Sequence, residues 1–123
     1  MRKIVFFMLI ITGFSCKEKV PVYERGVNPN QAQTLLTQVV QCIDLRAKHD
    51  YDQDHLDGAV NIPFDKENFV KEIANFDRNK SVLIYCDNGD ISKETLDLFK
   101  SNGFKQVYLL IGGYESWVNQ RKF

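Results

Sequence analysis

Neither sign of charge prevails in this chain of 123 residues, which carries 16 basic and 16 acidic side chains. A nucleic-acid binder normally shows a basic patch and a high pI, so that class is set aside. There is no internal repeat and no low-complexity tract, which excludes a repeat architecture. The longest apolar run, Ile4–Ile11, covers eight residues, whereas a bilayer-spanning helix needs ~20. Only three cysteines are present, with no Cys-x-x-Cys pair among them, so the usual dithiol signature is missing. What remains is 44% hydrophobic and 26% charged. That is the composition of an ordinary globular domain, and the length leaves room for one.

The N-terminus reads as a targeting segment. Arg2 and Lys3 precede the apolar run, and Thr12, Gly13, Phe14 and Ser15 lead to Cys16. A basic start, a short apolar stretch and small residues before a cut site make a secretory signal. Gly13-Phe14-Ser15-Cys16 resembles a lipobox, with Gly13 where that motif usually has leucine. The resemblance implies a signal peptide over 1–15, lipidation of Cys16, and a protein exported to the cell envelope and anchored in a membrane, facing the periplasm or the cell surface. Acyl chains hold a protein on a bilayer with ~0.8 kcal/mol per buried CH₂. Without the leader, 14 basic and 16 acidic side chains remain. Residues 16–28, charged and ending in Gly26-Val27-Asn28, read as a lipidated terminus and tether without packed structure. The folded domain is expected over 29–123.

Strand and helix signals alternate through that domain. Asn28-Pro29 starts a helix over about 30–38. Val39–Leu45 reads as a buried strand, 48–54 as one helical turn, and Ala59–Ile62 as a short strand. The spacing of Phe69, Ile73 and Phe76 predicts a helix over about 66–76. Ser81–Tyr85 and Gln106–Leu110 are rich in β-formers. A helix holding Ile91, Thr95, Leu98 and Phe99 lies between them, and another holding Tyr114, Trp117 and Val118 closes the chain. Such alternation predicts an α/β fold, a central parallel sheet of about five short strands covered by helices on both faces. Ligands of such sheets bind beyond the carboxyl ends of the strands, where Cys86 falls.

Tyr85-Cys86-Asp87-Asn88-Gly89-Asp90-Ile91-Ser92 runs from strand through a short loop towards a helix. Backbone N–H groups of such a loop can turn inward, and the helix adds its positive end. A thiolate or a terminal persulfide at the centre would be stabilised by those donors. Taken alone, a cysteine after a strand is more often a small buried hydrophobe than a nucleophile.

Further segments give this loop a family context. Ile43-Asp44-Leu45-Arg46, His55-Leu56-Asp57-Gly58-Ala59-Val60-Asn61-Ile62-Pro63, Leu83-Ile84-Tyr85-Cys86 with Gly89, and Gly112-Gly113 with Trp117 follow in order over about 30–119. Together they resemble the rhodanese domain, in its small single-domain exported form. The resemblance implies a sulfurtransferase in which Cys86 takes a sulfane sulfur from a thiosulfate- or persulfide-type donor. It holds that sulfur as a persulfide and passes it to a thiol, cyanide or protein acceptor. It implies no metal, no organic cofactor and a monomer. Asp87, Asn88, Gly89, Asp90, Ile91 and Ser92 would form the anion cradle. Asp44 and Arg46 are expected to shape the sheet end as supporting residues, and His55 to be structural.

The loop departs from the family pattern in charge. Active members often carry arginine directly after the cysteine and near the loop end, where this chain has Asp87 and Ile91, and Asp90 adds a second carboxylate. At an effective dielectric of a surface site, a charge pair at ~4 Å is worth a few kcal/mol. A lost arginine–anion hydrogen bond costs a further ~1.5–3 kcal/mol. Thiosulfate is therefore expected to be a poor donor. Phosphatases that share the fold close a longer loop with arginine, and Ser92 stands in its place. Two other readings stay open beside the enzyme: a non-catalytic binding module of the same fold, and a thiol-redox protein using Cys86 alone or with Cys42. Trp117, Phe104 and Tyr114 read as core residues without a site role.

Overall fold

The computed structural model describes residues 23–65, 67–91 and 93–121. The expected signal peptide, the lipidation site Cys16 and the loop residue Ser92 lie outside the described residues. In chain order the elements are β1 (Tyr23–Val27), α1 (Pro29–Leu36), β2 (Gln41–Asp44), α2 (Lys48–Gln53), β3 (Val60–Asn61), α3 (Phe69–Ile73), β4 (Val82–Tyr85), α4 (Lys93–Ser101), β5 (Gln106–Leu110) and α5 (Gly113–Arg121). The strands form one parallel sheet in the order β1-β5-β4-β2-β3. This is the expected α/β architecture.

The sheet alternates its side chains between two cores. Leu83, Tyr85, Cys42 and Leu110 pack on one face with Ala32 of α1 and Trp117 of α5. Val82, Ile84, Ile43 and Val107 pack on the other with Phe69 and Ile73 of α3 and Phe99 of α4. Phe69, Phe99 and Phe104 meet edge to face at centroid distances of 5.6 and 5.2 Å, a favoured geometry for aromatic pairs. Every residue of β4 is buried, because it lies between β5 and β2 with helices above and below.

The capping signal before α1 works as read. Asn28 Oδ1 accepts the Gln31 N–H at 2.8 Å, Gln31 Oε1 accepts the Asn28 N–H at 2.9 Å, and Pro29 opens the helix. The tether expected through residue 28 is corrected at its end. Tyr23–Val27 is strand β1, paired in register with β5 from Tyr23↔Gln106 to Val27↔Leu110. Edge position explains the difference. Only Val27 is buried among Glu24–Val27, so the strand lacks an apolar alternation and is held by its backbone ladder. Helix α3 is shorter than its apolar spacing predicts, because Phe76 closes a turn on Ile73 (N···O 3.0 Å) instead of extending it.

Candidate functional site

Strand β4 delivers Cys86 to the carboxyl end of the sheet, at the centre of the strand order. The cysteine is half-buried. Gly89 N–H donates to its sulfur at 3.2 Å, and the thiol faces Asn88 Oδ1 at 3.8 Å. Asn88 Oδ1 also accepts the Asp90 N–H at 3.0 Å, while its Nδ2 donates to the Asp90 carboxylate at 3.4 Å. Ile91 N–H closes on the Gly89 carbonyl at 2.9 Å. The Asp90 and Ile91 amides are thus engaged inside the loop, and Gly89 is the described loop amide that reaches the sulfur.

Helix α5 straps the loop from below. Tyr114 N–H donates to the Cys86 carbonyl at 2.8 Å, and Glu115 N–H to the Asp87 carbonyl at 3.0 Å. These are first-turn amides, which lack partners within their own helix. The approach demands glycine. Gly113 has φ +60°, and a methyl there would overlap the Cys86 carbonyl oxygen and lie 2.7 Å from Gly89 N. Gly89 has φ +89°, and its own Cβ would stand 2.8 Å from Gly112 N.

The floor of the site is a buried polar network around Asp44, which is inaccessible to solvent. Arg46 donates to its carboxylate from Nη2 at 2.8 Å and from Nε at 3.1 Å, and the Arg46 backbone N–H adds 2.8 Å. Tyr85 Oη donates to Asp44 Oδ2 at 2.5 Å and accepts the Leu56 N–H at 3.2 Å. Burial, then the Asp44 contact, pushes the Tyr85 phenol well above its ordinary range. Arg46 Nη2 also holds the Asp54 carbonyl at 2.7 Å. Its guanidinium lies 3.9 Å from the Tyr114 ring centroid, a cation–π distance. Tyr114 Oη donates to Asp54, whose carboxyl sits below its usual range through that bond. Asn61 Nδ2 donates to the carbonyls of Asp44 and Arg46 at 3.1 and 2.9 Å. Asp44 and Arg46 therefore tie the ends of β2 and β3 to the segment after α2.

Among the described residues, the Arg46 side chain bonds Asp44 and the Asp54 carbonyl from Nε and Nη2 and donates to no residue of the loop. Asp87 and Asp90 are exposed, and neither pairs with a cation among the described residues. His55 Nδ1 contacts the Tyr51 carbonyl at 2.8 Å and its ring stacks on Tyr51 at 3.8 Å, a packing role. Cys42 and Cys86 are both free thiols. Cys42 is buried, and desolvation followed by the nearby Asp44 charge pushes its thiol up to about 12. A recess of about 440 Å³ lined by Gln33, Leu36, Asp57, Trp117 and Arg121 includes no loop residue.

Sequence reasoning did not find three members of this arrangement. Tyr85 carries no polar signal in an apolar strand. Tyr114 read as core, yet it is half-buried and joins Cys86, Arg46 and Asp54. Asp54 read only as the end of the helical turn over 48–54. Only the Gly112-Gly113 pair in front of Tyr114 marked the place where a helix start approaches closely.

Comparison with known proteins agrees with the geometry. The family model described as rhodanese-like domain matches residues 28–120. The chain is 36% identical over 74 residues to thiosulfate sulfurtransferase GlpE of Coxiella burnetii, covering 60% of this chain and 67% of that protein. It is 32% identical over 91 residues to the protein of the same name from Pseudomonas paraeruginosa, covering 74% and 81%. Among solved structures, a rhodanese-like domain protein from Staphylococcus aureus superposes with a TM-score of 0.64 at 21% identity, covering 76% of this chain and 90% of that one. The rhodanese-like domain of the Anabaena Alr3790 protein reaches 0.68 at 20% identity, covering 80% and 76%.

Proposed function

Since the chain belongs to the rhodanese-like domain family, we propose that it is a sulfurtransferase working through a persulfide on Cys86. The Cys86 thiolate attacks the outer sulfur of a sulfane donor. A new S–S bond forms, the donor's S–S bond breaks, and its electron pair leaves with sulfite or a thiolate. An acceptor thiolate or cyanide then attacks the outer sulfur, and the Cys86 thiolate departs as leaving group. Sulfur is transferred with no net change in the enzyme, and no step calls on a cofactor.

One observation carries this reading. A half-buried thiol stands at the carboxyl end of the central strand, with the Gly89 N–H on its sulfur and its loop strapped to α5. The Gly89 N–H is placed to hold negative charge on the sulfur. Asp87 and Asp90, paired with no cation among the described residues, disfavour a dianion such as thiosulfate. A neutral or cationic persulfide, or a protein persulfide, suits the loop better. The Arg2–Ser15 leader pattern and the motif at Cys16 support a membrane-anchored lipoprotein of the cell envelope.

The test is the intact mass of the protein before and after incubation with thiosulfate and with a small persulfide donor. A gain of one sulfur atom, removed by cyanide and absent in Cys86→Ser, is expected, and the persulfide donor should load faster. The acidic rim and the internally tied loop amides favour one second reading, a non-catalytic binding module of the same fold. No sulfur gain from either donor, while Cys86 still alkylates, selects that reading and discards the enzyme.

A further inference from the structure

All five strands are parallel, so their first residues share one end of the sheet and Cys86 stands at the other. Arg78 and Lys80 precede β4 at the first end, Lys105 precedes β5, and Val39 leads into β2. These turns touch one another. Lys105 N–H donates to the Arg78 carbonyl at 3.1 Å. The Gln41 side chain bonds the Asp77 backbone twice, at 2.8 and 2.7 Å. Arg78, Lys80 and Lys105 are exposed and pair with no carboxylate among the described residues. Val39 is 79% exposed, more than any other large hydrophobic residue described. Three carboxylates of the described strand starts share this end, and one of them is the exposed Asp57 ahead of β3. Asp77 accepts the Asn79 N–H at 2.9 Å, and Glu24 is neutralised by Lys100. Arg78, Lys80 and Lys105 against Asp57 and Asp77 leave this end a small surplus of positive charge beside an apolar side chain.

The chain enters at the same end, because Tyr23 pairs with Gln106 at the start of β5. Residues 17–22 alone separate Tyr23 from Cys16. Six residues span at most ~25 Å between those two positions. We propose, resting on the acylation of Cys16 argued above, that Arg78, Lys80 and Lys105 around Val39 form a docking surface for an anionic phospholipid membrane. The domain then stands with its strand starts on the bilayer and Cys86 directed away from it. A basic group near an anionic leaflet is attracted only within about a Debye length, ~8–10 Å. The short tether holds the surface close enough for that attraction to act. The exposed Val39 adds apolar contact with the headgroup boundary. Acyl chains alone fix the distance, and the basic turns fix which end faces the lipid.

The full-length protein, expressed with its own leader and purified from membranes, is placed on vesicles of phosphatidylcholine with and without phosphatidylglycerol. The lipids carry a headgroup photocrosslinker, and cross-linked peptides are located by mass spectrometry. On anionic vesicles the cross-links should gather in the turns holding Val39, Arg78–Lys80 and Lys105, and spare Asp87–Ile91. Combining Arg78→Glu, Lys80→Glu and Lys105→Glu should lower that enrichment about tenfold, with Cys86 alkylation unchanged as the sign of an intact fold. Cross-links spread evenly over the domain, concentrated on the Asp87 side, or unaltered in the variant overturn the proposal. The mass of the Cys16 peptide is read from the same samples. Absent acyl chains remove the anchoring premise, whereas acylated protein with scattered cross-links removes the docking surface alone.

Discussion

The first turn of α5 hangs from Cys86: the Tyr114 N–H donates to the Cys86 carbonyl oxygen at 2.8 Å. That bond places helix and loop at a separation that excludes even a methyl group at Gly113. The sulfur's position therefore depends on a residue far along the chain.

Gly113→Ala should displace the loop. The new Cβ meets the Cys86 carbonyl, and φ of +60° adds strain for an L side chain. A stability loss of ~1–3 kcal/mol is expected from the strained backbone, together with a fall in persulfide formation larger than that loss explains. Denaturant midpoints and sulfur loading by mass measure the two separately. Wild-type loading in a folded Gly113→Ala protein would show that the strap does not position Cys86.

The Asp44 network should behave as a unit. Arg46→Leu leaves the Asp44 carboxylate buried without its cation, and removing one partner of a buried pair costs ~3–5 kcal/mol. Tyr85→Phe removes an acceptor for Leu56 and a donor for Asp44, for ~1–3 kcal/mol. The two changes share Asp44, so their combined effect should be less than additive. Urea denaturation of the single and double variants checks this, and simple additivity would argue against a shared network.

Asp87→Arg should raise the rate with thiosulfate about ten- to a hundredfold, the equivalent of ~1.5–3 kcal/mol from one charge-assisted bond to an anion. Asp87→Asn, which only removes repulsion, should gain less. Cyanide-dependent thiocyanate formation gives the rates. If neither variant is faster than the parent, the acidic rim is not what limits this donor.

Alkaline pH should destabilise the protein partly through Cys42. Burial pushes its folded thiol up to about 12 from an ordinary value of 9.0. Between those values the unfolded chain releases a proton that the folded chain keeps. The contribution is therefore complete below pH ~9 and declines by up to ~1.4 kcal/mol per pH unit as pH rises towards ~12. Tyr85, also raised, acts in the same direction. Cys42→Ala should flatten this part of the pH–stability curve, and an identical slope in the variant would exclude Cys42 as a cause. Native protein near pH 8 should alkylate at Cys86 and leave Cys42 untouched until it unfolds.

Legibility in the sequence followed the physical origin of each feature. Strands β2, β4 and β5 were readable because buried parallel strands are short apolar runs, and α1 because Asn28-Pro29 is a cap made of local chemistry. The Cys86 loop was legible through its order among several short segments, and the missing loop arginine was visible at once. Strand β1 was not legible, since Glu24, Arg25 and Gly26 carry no buried pattern and the strand exists only through β5. The internal bonds of Asn88 and Ile91 were equally hidden, because they depend on how the loop closes. Tyr114 reads as one more core aromatic and Asp54 as part of a polar turn until the fold brings them to Arg46.

The pairing of β1 with β5 also turns length into a variable. Under the proposed acylation of Cys16, six residues, 17–22, are the leash that separates the anchor from docked β1, a reach of at most ~25 Å. An edge strand with one partner is the part of a sheet most easily peeled away. Once Tyr23–Val27 is released, the leash runs to residue 27 and reaches ~40 Å. On the proposed anchoring through Cys16, the distance at which Cys86 can meet a partner is then governed by five residue pairs at the far edge of the sheet.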